Sequence, residues 1–175
     1  MATAAAHRGP TRLDRVLPDR LLAAAAVVLA VLIALAVLRG RSQWAAIPAI
    51  VWLHLATVSV ALLLTPAMLL RRKGTRAHRV LGYVWAAAMV GTAALSLVFR
   101  TGAPHGWGVF TGDVSPVHIL SVVVLVLVPM TVNAARRHDV AGHRRGIRGL
   151  VIGALLVAGF FTLPFDRLLG HWLLG

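Results

Sequence analysis

Residues 45–79 read AAIPAIVWLHLATVSVALLLTPAMLLRRKGTRAHR. From Ala45 to Leu70 the stretch holds no Asp, Glu, Lys or Arg, and it then stops on Arg71, Arg72, Lys73, Arg76 and Arg79. An apolar run of that length exceeds the ~20 helical residues that cross a hydrocarbon core. A basic stop is the usual mark of a cytoplasmic loop. The stretch reads as a transmembrane helix followed by a turn, with His54 the one titratable group inside the helix.

Working outward, the pattern recurs. Further stretches at about 21–38, 79–99, 115–135 and 146–168 are also long and apolar enough to span. Leu21 to Leu38 follows Arg12, Arg15 and Arg20 as a signal peptide would. Its apolar core is too long for one, and Arg39 and Arg41 stand where a small-residue cleavage site is required, so it reads as a retained helix. Composition agrees: 59% of the 175 residues are hydrophobic and 13% are charged, whereas a soluble domain keeps about a quarter of its residues charged. Cysteine is absent, which excludes disulfide frameworks, Cys-ligated zinc, iron–sulfur clusters and thiol catalysis.

The expected fold is an all-α integral membrane protein of five transmembrane helices. Spans 2–5 are expected to form a four-helix bundle (45–168) of two duplicated helical hairpins, 45–100 and 114–168, between a basic tail (1–20) with the first span and a short C-terminal tail (169–175). The net charge of +13 could suggest nucleic acid, but its placement says otherwise. Arg8, Arg12, Arg15 and Arg20 in the tail, the five basic residues of the 71–79 turn, and Arg136, Arg137, Arg144, Arg145 and Arg148 of the next even-side turn make 14 of the 18 cations fall on one face. The positive-inside rule then puts the N-terminus and both turns in the cytoplasm and the C-terminus outside, with the lipid bilayer as partner and no nucleic acid.

The two turns also repeat a motif. RRKGTRAHR (71–79) and RRHDVAGHR (136–144) both fit R-R-x5-H-R at an offset of 65, and at an offset of 64 His54 maps onto His118. Parallel repeats related by an axis along the membrane normal place equivalent residues at equal depth. His54 and His118 are expected to oppose each other in the outer half of the membrane, and His78 and His143 near the cytoplasmic interface, the two levels roughly 20 Å apart at 1.5 Å rise per residue. Paired histidines at two levels are what two bis-histidine haem b groups require. In that arrangement Arg79 and Arg144 would pair with propionates, and Thr57 or Ser121 would fix an imidazole tautomer. Taken singly, a histidine in a span serves to tie helices together, and His78 and His143 read as basic interfacial anchors.

Gly142, Gly146, Gly149 and Gly153 recur every three or four residues and predict a smooth helix–helix seam, with Gly82, Ala86 and Gly91 a less regular one. Trp44, Trp107 and Trp172 fall at outer ends of spans as an aromatic belt would. His105 and His171, with Asp113 and Asp166, fit no standard metal spacing and read as solvated loop residues. With no Glu and no Asp inside a span, a carboxylate proton relay and a paired-carboxylate hydrolase are both excluded.

The segments RKGTRAHRVLGYVW (72–85), SPVHILS (115–121) and ARRHDVAGHRRGIRGLVIGALLVAGFFTLP (135–164) resemble the bacterial membrane proteins grouped as domain of unknown function 2306, a resemblance that implies the bacterial inner membrane. In plan the four later spans are similar to cytochrome b561-type di-haem proteins, with H-x-x-L-G at His78, Leu81 and Gly82 matching a motif beside a haem histidine there. That second resemblance implies His54 and His118 as ligands of an outer haem, His78 and His143 of an inner one, and transmembrane electron transfer with a quinol or another redox partner. The chain departs from that family in having five spans instead of six. Two other readings stay open from the residues themselves: a cofactor-free assembly or interaction subunit, as a homodimer or part of a membrane complex, and a small transporter using the repeat interface.

Overall fold

The computed structural model describes residues 17–98, 116–163 and 167–175, which are almost entirely helical. Helix α1 (Asp19–Arg39) starts after Pro18, with an acid in its first turn and a base in its last, both favourable to the helix dipole. A 3-10 turn (Gly40–Ala46) and Pro48 lead into α2 (Ala49–Leu70). Helix α3 (Arg76–Ser96) is capped by Thr75, whose hydroxyl accepts from the His78 amide. Helix α4 (Pro116–Arg136) follows, and then α5 (Val140–Gly149), capped by Asp139, whose carboxylate accepts from the Gly142 amide. From Gly149 the helix runs on without a break through a π-helical stretch (Leu150–Val157) into Ala158–Phe160. A last short helix, α6, covers Leu168–Leu174.

Among the described residues four segments, Asp19–Ala46, Ala49–Leu70, Arg76–Ser96 and Val117–Arg136, are long and apolar enough to cross a membrane. The helices pack in sequence, α1 on α2, α2 on α3, α3 on α4 and α4 on α5, and the π-helical stretch closes the ring onto α1 and α4. Leu62, Leu150, Val151 and Leu155 are buried at the centre, together with Ala26, Ala36 and Ala61. Outward-facing positions are apolar as well: Val28, Leu53, Leu63, Val126 and Met130 are all more than half exposed, a surface that suits lipid rather than water.

Several expectations change here. The first helix is not an appendage to a four-helix bundle, because Leu22, Ala26, Leu29 and Ile33 belong to the common core. The fifth helix begins at Val140 rather than near residue 146. The expected tail 169–175 is largely helix: α6 folds back on α1 and buries Leu169 and Trp172. The glycine seam shortens to one close approach. A Cβ on Gly146 would lie 2.1 Å from the Thr131 hydroxyl on α4, whereas at Gly149 and Gly153 it would meet nothing within 4 Å. Further along, Gly159 admits Leu29 of α1, so the fifth helix touches the first through a glycine the repeat did not single out.

Trp172 is also no belt residue. Its ring lies against Gly40, where a Cβ would be 2.1 Å away, and its indole N–H donates to the Gln43 side chain at 2.9 Å. Trp52 stands between Trp44 and Trp172 at centroid distances of 5.4 and 6.4 Å. The three rings therefore lock α6, the 3-10 turn and α2 together. Trp107, His105, Asp113 and Asp166 lie outside the described residues.

Candidate functional site

The turns that carry the inner histidines are each made by one left-handed residue followed by a cap. Gly74 has φ 81° and precedes Thr75; His138 has φ 59° and precedes Asp139. These turns superpose at an offset of 64, not 65, so His143 lies one residue further into its helix than His78 does. One helical residue is a rotation of about 100°. The two histidines are thus not at identical positions of a duplicated helix. Both lie at the Arg-rich end, on helices α3 and α5 that each pack against α4.

Their ring nitrogens are differently placed. His143 Nδ1 is 3.0 Å from the Thr131 carbonyl on α4. A carbonyl can only accept, so Nδ1 carries the proton and the Nε2 lone pair is left as the basic atom. His78 Nδ1 is buried with no hydrogen-bond partner in the protein. A buried nitrogen without a partner costs about 1–3 kcal/mol, so the His78 ring holds an unmet polar atom. The donor chemistry, one imidazole oriented by a carbonyl and one with an unpaired ring nitrogen, suits an axially ligated metal group.

The outer pair is arranged otherwise. His54 is half-buried and turns toward α3, with Nδ1 3.2 Å from the Thr92 carbonyl and 3.4 Å from the Ser96 hydroxyl. The expected partner, Thr57, instead donates to the His54 carbonyl of its own helix at 2.9 Å and accepts from the Thr92 hydroxyl at 2.9 Å. Ser121, the other expected partner, donates back to the Val117 carbonyl at 2.8 Å. Helices α2 and α4, which carry His54 and His118, each pack chiefly on α3 between them, just as α3 and α5, which carry His78 and His143, each pack chiefly on α4. Of the two expected propionate partners, Arg79 and Arg144 are both exposed at the Arg-rich end. Among the described residues no cluster of three or more His, Asp or Glu could hold a bare metal ion, and His171 is an exposed residue of α6.

One polar group at this end escaped the sequence reading. Arg148, counted there among the cations of the second basic turn, is 5% exposed. Its guanidinium meets the Asp19 carboxylate of α1 at 2.6 Å and also donates to the Leu17 carbonyl, while Lys73 approaches the same carboxylate at 3.7 Å. The signal was available: the chain has five acids in all, so an Asp at the start of a span on the Arg-rich side was bound to find a cation. A second missed contact is the indole of Trp85, which donates to the buried Thr65 hydroxyl at 3.0 Å and pins α3 to α2. Compared with family models, with curated proteins and with solved structures, the chain gives no match.

Proposed function

We propose that the protein is a multi-pass inner-membrane protein of five spans, with the Arg-rich end cytoplasmic and the C-terminus outside, that binds haem through paired histidines and passes electrons across the bilayer. The observation that carries the reading is the His78 ring, whose buried Nδ1 has no protein partner, together with His143 at the same end, its ring oriented by the Thr131 carbonyl. The resemblance of residues 72–85, 115–121 and 135–164 to the domain of unknown function 2306 proteins, and of the span plan to cytochrome b561-type proteins, supports it. When bound, haem would supply reversible one-electron chemistry. His78 and His143 would hold the inner group, with Arg79 and Arg144 at the interface for its carboxylates. His54, its ring fixed by the Thr92 carbonyl, and His118 would hold an outer one. A quinol or another small reductant is the donor class that a site at this depth can meet.

The test is the dithionite-reduced minus oxidised spectrum of detergent-purified protein from haem-replete cells. A haem b spectrum is expected, with about half its amplitude lost in His143→Ala and the remainder in His54→Ala. A colourless preparation overturns the reading. The contacts Thr65–Trp85 and Thr57–Thr92, which tie helices together with no cofactor, favour a cofactor-free assembly subunit as the second reading. On that reading His54→Ala with His118→Ala still complements a deletion strain.

A further inference from the structure

Between α3 and α4, at the Arg-rich end, lies a groove of about 690 Å3 that opens away from the bundle core. Its walls change character along the helix axes. The mouth is Tyr83, Asn133 and Arg136, and the interior, one to two turns deeper, is Ala86, Ala87, Val90 and Met130. Seven residues of helix from Tyr83 to Val90 span about 10 Å, so the polar mouth sits at the level of the basic turns and the apolar floor runs into the span.

The charge at the mouth is one-sided. Arg136 lies over the Tyr83 ring, 5.8 Å from its centroid, and its Nε donates to the Tyr83 hydroxyl at 3.4 Å. Among the described residues Arg136 has no carboxylate partner. The two acids described at this end are both engaged, Asp19 with Arg148 and Asp139 with the Gly142 amide. Arg79, one turn before Tyr83, and Arg137, beside Arg136, add to the positive field. A purely apolar occupant, such as a helix of a second copy, would cover Arg136 and Asn133 and leave their donors without acceptors. An occupant that is anionic at one end and aliphatic along the rest satisfies both walls.

We propose that this groove binds an anionic phospholipid, its phosphate on Arg136, Asn133 and Tyr83 and one acyl chain along Ala86, Ala87 and Val90. Basic pockets between helices on the cytoplasmic side recognise lipid head groups in this way. The proposal needs the membrane placement but not the haem, so a colourless protein would leave it standing.

The experiment is native mass spectrometry of the full chain in mild detergent with equal amounts of phosphatidylglycerol and phosphatidylcholine of matched chains. Wild type is expected to retain phosphatidylglycerol at least about fivefold over phosphatidylcholine, the order of effect of one basic residue on an anionic head group. Arg136→Gln is expected to bring the ratio near parity, Ala87→Phe to reduce both adducts by filling the floor, and Arg71→Gln, an exposed cation at the same end away from the groove, to change little. Near-parity in wild type overturns the proposal. So does a preference that survives Arg136→Gln, which would mark a diffuse basic surface, and so does replacement of lipid adducts by dimers that Ala87→Phe abolishes. If Ala87→Phe fails to fold, Arg136→Gln decides alone.

Discussion

In the first basic turn Gly74 takes the left-handed conformation and Thr75 caps α3; in the second, 64 residues on, His138 takes it and Asp139 caps α5. The same offset relates Gly82 to Gly146, each in the second turn of its helix. Around these shared points the packing diverges. Gly82 looks at the flexible tip of Met68, 3.3 Å from a Cβ, while Gly146 is pressed against the branch point of Thr131. Lys73 of the first turn is loosely set beside Asp19, whereas Arg148 of the second hairpin is buried against it. One turn geometry therefore serves two settings: beside the first turn Lys73 stays mostly exposed, and the helix after the second is bolted to α4 through Gly146 and to α1 through Arg148.

Pairs of substitutions test that asymmetry. The largest contrast is expected at the ion pair. Asp19→Ala leaves the Arg148 guanidinium buried with the Leu17 carbonyl and should cost about 3 kcal/mol, while Lys73→Ala, removing a partner whose side chain is 58% exposed, should cost less than ~0.5 kcal/mol. Denaturant unfolding in detergent micelles measures both, and equal effects would show that Arg148 is not the anchor. Next come the glycines. Gly146→Ala drives a methyl into Thr131 and should lower stability by about 2 kcal/mol, whereas Gly82→Ala should be neutral or stabilising by up to ~1 kcal/mol through helix propensity. A thermal-shift series separates them by sign.

The caps are expected to matter alike, since both plans share them: Thr75→Ala and Asp139→Ala should each cost about 1 kcal/mol, and a twofold difference between them would break the equivalence of the turns. The smallest pair has opposite signs. Gly74→Ala puts a side chain at φ 81° and should destabilise by about 1 kcal/mol, and His138→Gly should relieve the strain at φ 59° and stabilise by somewhat less.

Hydropathy made the spans legible because an uncharged run such as Ala45–Leu70 has few other uses. The start of the fifth helix was not legible, since Val140–Gly149 carries Arg144, Arg145 and Arg148 and lowers any hydropathy window across it. Helix α6 is seven residues long, too short for periodicity to separate it from a tail. Among site residues, matched spacing brought His78 and His143 forward, but it aligned them at 65 where the turns align at 64. Sequence spacing reports how far along a helix a residue lies, and the rotation that turned His54 to Thr92 instead of Thr57 depends on how neighbouring helices meet.

The π-helical stretch Leu150–Val157 gives that rotation a further meaning. Each of its i→i+5 turns holds about one residue more than an α-helical turn; Leu150 and Leu155, five apart, are both buried, each 2% exposed. The helix is in one angular phase where His143 meets Thr131 and in another where Gly159 receives Leu29. A single-residue deletion within 150–157 would swing Gly159 by roughly 100°. The deletion would leave composition and hydropathy almost untouched while uncoupling the contact at His143 from the middle of the first helix.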